Sequence, residues 1–456
     1  MQTVCVLDIG TTNIKCVLIN ENGVIGQSSI RTDFDHLWDY TKSSLKSLLI
    51  KTGLAPERIR AIIVTGQRGS IIPLNEEFNP IATPLTWMDM RPSKSIVEQK
   101  EKISLRTGLR RILYIKELEP ATFELTKKFV TVHSYINYKL TGRLIEEPTN
   151  AVYIGLDLKT LQWNEDDLSE FGLSREHLGE IALPGSTIGT VSNDCITELG
   201  LDRSTEVILG GGDQQCSAVA LDCIEDNRLK ATIGTGTFID VCIQNVLFDF
   251  FDDTTKMFVV PHVIPNKYIL ESVLPGTGAS VQWLKENILR SENFDFVPQS
   301  VSLEKNRALF YIPFISFDRG AFLNLGFNHN VQDIAYSIIE STAFTLRFFI
   351  ELLGSFDVTT ETLKMDGGFA NSTLWKKTIA TVVNKPLHIP LNHQECSALG
   401  AYILAMKTVD GAPNYRKYID MIKYNEPITP DETLMAYYEE KYSRFLEVFI
   451  EHTGKL

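Results

Sequence analysis

The 456-residue chain has no C-x-x-C pair: its seven cysteines (Cys5, Cys16, Cys195, Cys216, Cys223, Cys242, Cys396) are an odd number and mostly have apolar neighbours. Reduced core thiols are therefore expected, not a disulfide or zinc framework. Apolar runs are short. Thr342–Leu353 is interrupted by Arg347, so nothing reaches the roughly 20 residues of a membrane-spanning helix. The N-terminus, MQTVCVLDIG, lacks a basic region ahead of an apolar one and a small-residue cleavage site, which predicts a cytoplasmic protein without a secretory signal. Positive charge is in deficit, with 44 Lys and Arg against 57 Asp and Glu and a formal charge of −13. That balance argues against a broad nucleic-acid or anionic-membrane surface and for a small-molecule partner. Walker and dinucleotide fingerprints, a G-x-S-x-G elbow and a His pair at metal spacing are also missing, which leaves P-loop, dehydrogenase, serine-hydrolase and metallohydrolase readings without support.

The composition, 44% hydrophobic and 22% charged, is that of a globular protein long enough for two domains with a ligand cleft between them. Five short apolar runs end in glycine and small polar residues, as a buried strand does when its carboxyl end opens onto a ligand. Val4–Leu7 enters Asp8-Ile9-Gly10-Thr11-Thr12, Ala61–Val64 enters Thr65-Gly66-Gln67-Arg68-Gly69, and Val207–Leu209 enters Gly210-Gly211-Gly212-Asp213. Ala231–Ile233 enters Gly234-Thr235-Gly236-Thr237, and Leu363–Met365 enters Asp366-Gly367-Gly368-Phe369-Ala370-Asn371. The first and fourth share a layout, strand, Gly-Thr turn and second β-rich run, which suggests two related halves. Asn22-Gly23 reads as a two-residue hairpin turn. Helices are expected from Asp333 in the first turn, with Gly354 just beyond the end, and, from weaker periodicity, over Asp35–Lys51, Glu119–Leu140, Gly278–Leu289, Ser372–Val383, Ser397–Lys407 and Pro430–Glu451. The fold class is α/β, with the domain boundary placed near residues 221–228.

Gly-Thr turns bring backbone N–H groups and hydroxyls to phosphate oxygens, so Gly10-Thr11-Thr12 and Gly234-Thr235-Gly236-Thr237 are candidates to face one triphosphate; each is equally readable as a tight turn. Asp8, at the end of an apolar strand, either meets a cation such as magnesium or caps the following turn. Asp213, after three glycines, either accepts a hydroxyl proton, with Gln214 hydrogen-bonding the substrate, or caps the following helix. Trp87, Asp89 and Arg91 alternate as on one side of an extended segment, which suits a polyol; Arg68 adds hydroxyl donors, or these charges form an ordinary ion pair.

Taken together, these stretches resemble the FGGY carbohydrate kinases, over nearly the whole chain and in family order. DIGTTNIKCVLIN resembles the first phosphate motif, TWMDMR the sugar-site segment, LGGGDQQCSAVAL the catalytic-base segment and IGTGTFIDV the second phosphate motif; LPGTGASVQWL, RGAFLNLGF and MDGGFANSTLWKKTIATVVNKPLHIPLNHQECSALGAYILA resemble second-domain motifs. The resemblance implies two ribonuclease-H-like domains, of the actin and hexokinase type, flanking a catalytic cleft, at 1–224 (sugar site and base) and 225–456 (nucleotide site). It implies ATP and Mg2+, with Asp213 as general base and Asp8 and Asp213 holding the metal. Thr11, Thr12, Gly234 and Thr235 would surround the phosphates; Gly278, Gln282, Gly367, Gly368, Ala370 and Asn371 would line the nucleotide. Gln67, Arg68, Trp87, Asp89 and Gln214 would bind the substrate.

Departures narrow that substrate. The family's K-x-x-W signature appears as Arg111 and Tyr114, and the glutamate that glycerol kinases place after the arginine is Gly69. Gly66-Gln67 and Trp87-Met88-Asp89 resemble the pentulose kinases, so a ketopentose such as xylulose is expected, with glycerol, gluconate or another polyol as alternatives. Readings of another class are an actin- or chaperone-like ATPase and a catalytically silent sugar sensor. A homodimer is the default assembly, and closure about a hinge near 210–228 is expected to exclude water.

Overall fold

The structure, a computed structural model, describes residues 2–89, 91–94, 106–234, 236–244, 251–252, 257–274, 276–298, 300, 302–313, 320–354 and 358–453. The chain forms two compact units. The first comprises Met1–Ala220, Val260–Tyr268 and Glu395–Met421; the second comprises Leu221–Val259, Ile269–Gln394 and Ile422–Leu456.

In the first unit, β1 (Thr3–Ile9), β2 (Asn13–Asn20) and β3 (Gly23–Arg31) form consecutive antiparallel hairpins, and β4 (Ile59–Gly66) lies parallel to β1. With β5 (Thr187–Thr190) and β6 (Glu206–Ile208) the sheet order is β5-β6-β4-β1-β2-β3. The runs read as buried strands are buried: Val4, Val6, Ile62, Ile63 and Val207 have no exposed surface. The three parallel strands β1, β4 and β6 end side by side. Gln67 N donates to Ile9 O at 3.0 Å, Gly66 bridges Gly212 in parallel register, and Thr65 Oγ1 donates to Gly211 O at 2.9 Å. Gly66 has φ +152°, and a Cβ there would overlap the Ile9 backbone, so only glycine allows this junction. Helix Asp213–Ala220 follows β6 after the four residues Leu209–Gly212. Helix Cys396–Val409 packs on it where Gly400 meets the Cys216 carbonyl without room for a side chain.

The second unit repeats this plan. β7 (Leu229–Ile233) pairs antiparallel with β8 (Thr237–Ile243) and parallel with β12 (Leu363–Asp366). With β9 (Phe251–Asp252), β10 (Met257–Pro261), β11 (Tyr268–Leu274) and β13 (Leu387–His388), the order is β9-β10-β11-β8-β7-β12-β13. Gly367 closes β12 with φ +105° against the Ile233 backbone, as Gly66 closes β4 against Ile9. The repeated layout of the two Gly-Thr turns is thus matched by topology and by the same glycine contact. Helix Val331–Gly354 packs against helix Met435–Thr453 through Phe344 and Phe445, whose ring centroids are 5.2 Å apart, and through the buried pair Lys441–Glu340 at 2.5 Å.

The seven cysteines are buried and free, and no described helix is long and apolar enough to cross a membrane. Three local expectations are corrected. Glu119–Leu140 is two helices, Pro120–Leu125 and Val132–Thr141, because Lys128–Thr131 pairs antiparallel with Ile71–Leu74; Val130 and Thr131 are β-branched, and sheet burial outweighs the helical spacing. Thr131 then caps the second helix, accepting from Ser134 N. In the β2–β3 hairpin the turn is Glu21-Asn22. Asn20 Oδ1 accepts from Asn22 N at 2.9 Å, and Gly23 opens β3 with φ +111°. The last helix starts at Met435, not Pro430.

Candidate active site

The carboxyl ends of β1, β4 and β6 bring Asp8, Thr11, Gln67, Arg68 and Asp213 to one edge of the first unit's sheet, the position at which open α/β sheets bind ligands. Gln67 is almost fully buried. Its Oε1 accepts from Ser70 Oγ at 2.9 Å and Thr11 Oγ1 at 3.3 Å, while its Nε2 is buried with no hydrogen bond among the described residues. A buried amide donor without a partner is costly, so the site is built for an acceptor. Trp87 joins this group: its Nε1 donates to Thr11 Oγ1 at 2.6 Å and its backbone N to Ser70 Oγ at 3.1 Å. Thr12 is exposed on the turn, its carbonyl accepting from Thr32 N at 2.9 Å.

Residues 86–89 form a tight turn, with Asp89 N donating to Thr86 O at 2.9 Å, not the extended segment expected from their alternation. Both oxygens of Asp89 accept from Arg91 Nε at 3.0 Å, and this guanidinium holds the Asp89 carboxyl below the usual carboxylate range. Arg111 is buried beneath and donates Nε to Thr86 O at 2.8 Å; burial lowers its own pKa to about 10, opposed by Asp89. Tyr114 lies under the Arg91 guanidinium, 5.7 Å from ring centre to Cζ. The two positions that depart from the K-x-x-W signature therefore contact the turn at 86–89 and the Arg91 that follows it.

Asp213 opens its helix with the carboxylate about one-third exposed, 3.8 Å from Arg68 Nε and accepting from Gln214 N at 2.8 Å. Arg68 is clamped from the other side by Tyr153, whose hydroxyl accepts from Nη1 at 2.8 Å and whose ring lies 5.5 Å from Cζ. Gln214 is buried behind Asp213. Tyr153 and Ser70 escaped sequence reasoning, and Arg111 entered it only as a departure from the K-x-x-W signature. Ser70 lies three residues from Gln67, but Tyr153 is 85 residues from Arg68 and nothing local links them.

Asp8 is half-buried and faces Lys15 across the first hairpin. Burial pushes its carboxyl up to about 6; Lys15 opposes this, and the charges of Asp213 and Glu395 add to it. An acid held up by burial and by two like charges fits a divalent cation. Among the described residues no three His, Cys, Asp or Glu side chains gather closely enough to hold a metal alone. Asp8 and Asp213, at the ends of β1 and β6, are oxygen donors of the kind magnesium takes alongside water and phosphate.

In the second unit the corresponding strand ends carry the other candidates. Gly234 N donates to Gly236 O at 2.9 Å, and Thr237 Oγ1 lies 3.0 Å from Thr277 Oγ1, which ties the Gly-Thr turn to helix Thr277–Trp283 bearing Gly278 and Gln282. Gln282 donates to Glu286 on the π-helical turn that follows. Thr235 lies outside the described residues. Beside Gly234 along the parallel pair, Gly367 N donates to His393 O at 3.2 Å and Ala370 N to Gly367 O at 3.3 Å. Exposed Asn371 meets His393 Nε2 at 3.3 Å, a neighbour that sequence reasoning missed. A Cβ on Gly234 or Gly368 would meet nothing within 4 Å, so backbone is open to a ligand at both.

The N-terminal-domain profile of the FGGY family of carbohydrate kinases matches residues 3–220, and the C-terminal-domain profile residues 229–409. The chain is 24% identical to a xylulose kinase of Staphylococcus epidermidis, over 98% of this chain and 96% of that one. A ligand-bound xylulose kinase from Lactobacillus acidophilus superposes with TM-score 0.83 at 21% identity, over 98% of both chains. A gluconate kinase from the same organism superposes with TM-score 0.83 at 20% identity, over 98% and 97%. With both family domains present in order, the chain belongs to the FGGY family of carbohydrate kinases and is an ATP-dependent sugar kinase.

Proposed function

We propose that this kinase phosphorylates a hydroxyl of a ketopentose such as xylulose, with Asp213 as general base and Gln67, Arg68, Trp87, Asp89 and Gln214 holding the acceptor. The observation that carries the reading is Gln67: its oxygen is fixed by Ser70 and Thr11, and its buried amide nitrogen is left to donate to a ligand oxygen. The ketopentose is favoured by similarity to xylulose kinases across the chain. It is also favoured by Gly69, which removes the carboxylate expected of a glycerol site; a side chain there would press on Thr107 Oγ1.

In the reaction, Asp213 takes the proton of the attacking hydroxyl as its oxygen bonds to the γ-phosphorus. The bond from that phosphorus to the β–γ bridging oxygen breaks, which leaves ADP and the sugar phosphate. Arg68, 3.8 Å from Asp213, offers donors to neighbouring hydroxyls. Thr11, Thr12 and Gly234, with Thr235, hold phosphate oxygens; Gly278, Gln282, Gly367, Gly368, Ala370 and Asn371 line the nucleotide. Asp8 and Asp213 are the carboxylates that would hold magnesium, which when bound neutralises phosphate charge. Positioning and electrostatics supply most of the rate.

The test is ADP release with magnesium-ATP across xylulose, ribulose, gluconate, glycerol and related polyols, beside Asp213→Ala. Activity on a ketopentose that disappears in the variant is the expected result. Activity confined to gluconate or glycerol overturns the substrate, and slow turnover that no acceptor stimulates and the substitution leaves unchanged overturns the mechanism in favour of a sensor or an assembly ATPase.

A further inference from the structure

The segment after the short strand Ile145–Glu146 holds three polar side chains with no exposed surface: Glu147, Thr149 and Asn150. Glu147 accepts from Thr149 N at 2.6 Å, from Thr149 Oγ1 at 2.9 Å and from Asn150 Nδ2 at 2.7 Å. A hydroxyl has one proton. With that proton given to Glu147, Thr149 Oγ1 faces its other neighbour only as an acceptor, and it accepts from Gly212 N at 2.8 Å. The amide of Asn150 is oriented in the same way: Nδ2 points at Glu147, which turns Oδ1 toward Gly69 N at 3.2 Å. Gly212 immediately precedes Asp213, and Gly69 immediately follows Arg68. One buried carboxyl group thus turns two acceptors, Thr149 Oγ1 and Asn150 Oδ1, toward the backbone N–H groups of Gly212 and Gly69, on either side of the Arg68–Asp213 pair.

The anchoring leaves little slack. A Cβ on Gly212 would overlap the Arg68 side chain, and one on Gly69 would press on Thr107 Oγ1. Three residues beyond Asn150, Tyr153 holds the Arg68 guanidinium itself.

We propose that Glu147 is a positioning residue, acting through Thr149 and Asn150 to fix the 3.8 Å separation of Arg68 and Asp213 on which proton transfer depends. The inference rests on the reading of Asp213 as general base. If Glu147 is replaced by an isosteric amide, a group that can itself donate competes for the same partners, and Thr149 and Asn150 lose their fixed sense.

The experiment compares Glu147→Gln and Thr149→Val, each alone and combined with Asp213→Ala, by steady-state ADP release and thermal unfolding. Each folded single variant is expected to lose about 10- to 100-fold in kcat, the scale of a misplaced reacting group, with KM for ATP within about two-fold. Neither is expected to lower the residual turnover of Asp213→Ala, because both act through Asp213. Thr149→Ser, which keeps the hydroxyl, is expected to retain most of kcat, and the Ser and Val pair carries the test if Glu147→Gln does not fold. Wild-type kcat in a folded Glu147→Gln or Thr149→Val beside an inactive Asp213→Ala overturns the inference alone, as does an equal loss in the Asp213→Ala background. Full activity of Asp213→Ala overturns the reading of the base and the inference with it.

Discussion

Arg68 and Asp213, 145 residues apart in sequence, sit with Nε 3.8 Å from Oδ1 at the ends of two parallel strands. The arginine is buried and its far side is held by Tyr153. Such a guanidinium presents fixed donors to a polyol. Arg68→Lys keeps the charge but loses the fork. It is expected to raise KM for the acceptor at least about 10-fold with little change in KM for ATP, and Tyr153→Phe, which keeps the ring, is expected to cost less. Equal effects on both KM values in steady-state assays would count against an acceptor-side role.

Gln67→Glu turns the unpartnered donor into an acceptor at an almost fully buried position. Loss of one hydrogen bond to a substrate hydroxyl, with an acceptor left facing it, is worth about 1–3 kcal/mol. The expected result is a 10- to 100-fold fall in kcat/KM for the sugar, about the same energy expressed as a rate. Unchanged kinetics would remove Gln67 from the acceptor site.

Asp8 links function to stability. Burial and the Asp213 and Glu395 charges push its carboxyl up to about 6 from an ordinary 3.8. The native state therefore holds a proton that the unfolded chain has already lost between those values, and stability falls as pH rises through that window. Asp8→Asn is expected to raise the melting temperature of the ligand-free protein above pH 6, with the gain shrinking toward pH 4, while losing most activity and the stabilisation by magnesium-ATP. A variant less stable than wild type at pH 7, with activity intact, would refute this.

Glu146 gives a pH signature away from the strand ends. Burial, with the neighbouring Glu147 charge, pushes it up to about 8, although Thr131 donates to it from Oγ1 at 2.7 Å. Glu147 is itself pushed by burial up to about 7, and His133, 3.9 Å away, is lowered by burial to about 4. The raised Glu146 stabilises the fold below pH 4.5 and loses that contribution as pH rises to about 8. The melting temperature of Glu146→Gln relative to wild type should therefore climb between pH 5 and 8. The His133 contribution has the opposite sign and is common to both proteins. A flat difference across that range would contradict the burial of an ionisable Glu146.

Gly66 and Gly367 should tolerate no side chain, since each combines positive φ with backbone contact at Ile9 or Ile233. Gly66→Ala and Gly367→Ala are expected to cost about 3 kcal/mol or more, with loss of soluble protein. Gly23→Ala also has positive φ, but a Cβ there meets nothing within 4 Å. It should cost only the strain of about 1 kcal/mol. Denaturant unfolding of the three variants separates collision from strain.

The sequence by itself determined the class of fold, because apolar runs ending in glycine mark strand ends whatever surrounds them. Val4–Leu7, Ala61–Val64, Val207–Leu209, Ala231–Ile233 and Leu363–Met365 all lie in or overlap strands of the two central sheets. It also offered Asp8, Arg68 and Asp213 as candidates beside cap and ion-pair readings, and the family resemblance added Gln67. Local pattern failed where pairing partners lay far away: Lys128–Thr131 became a strand because Ile71–Leu74 was there to receive it. Only the tertiary structure decided who holds whom. The clamp of Tyr153 on Arg68, the support of Thr86 by Arg111 and the anchoring of Gly212 and Gly69 through Glu147 join residues 25 to 85 positions apart. Hydrogen-bond direction at buried sites depends on every neighbour at once, and one-dimensional spacing does not encode it.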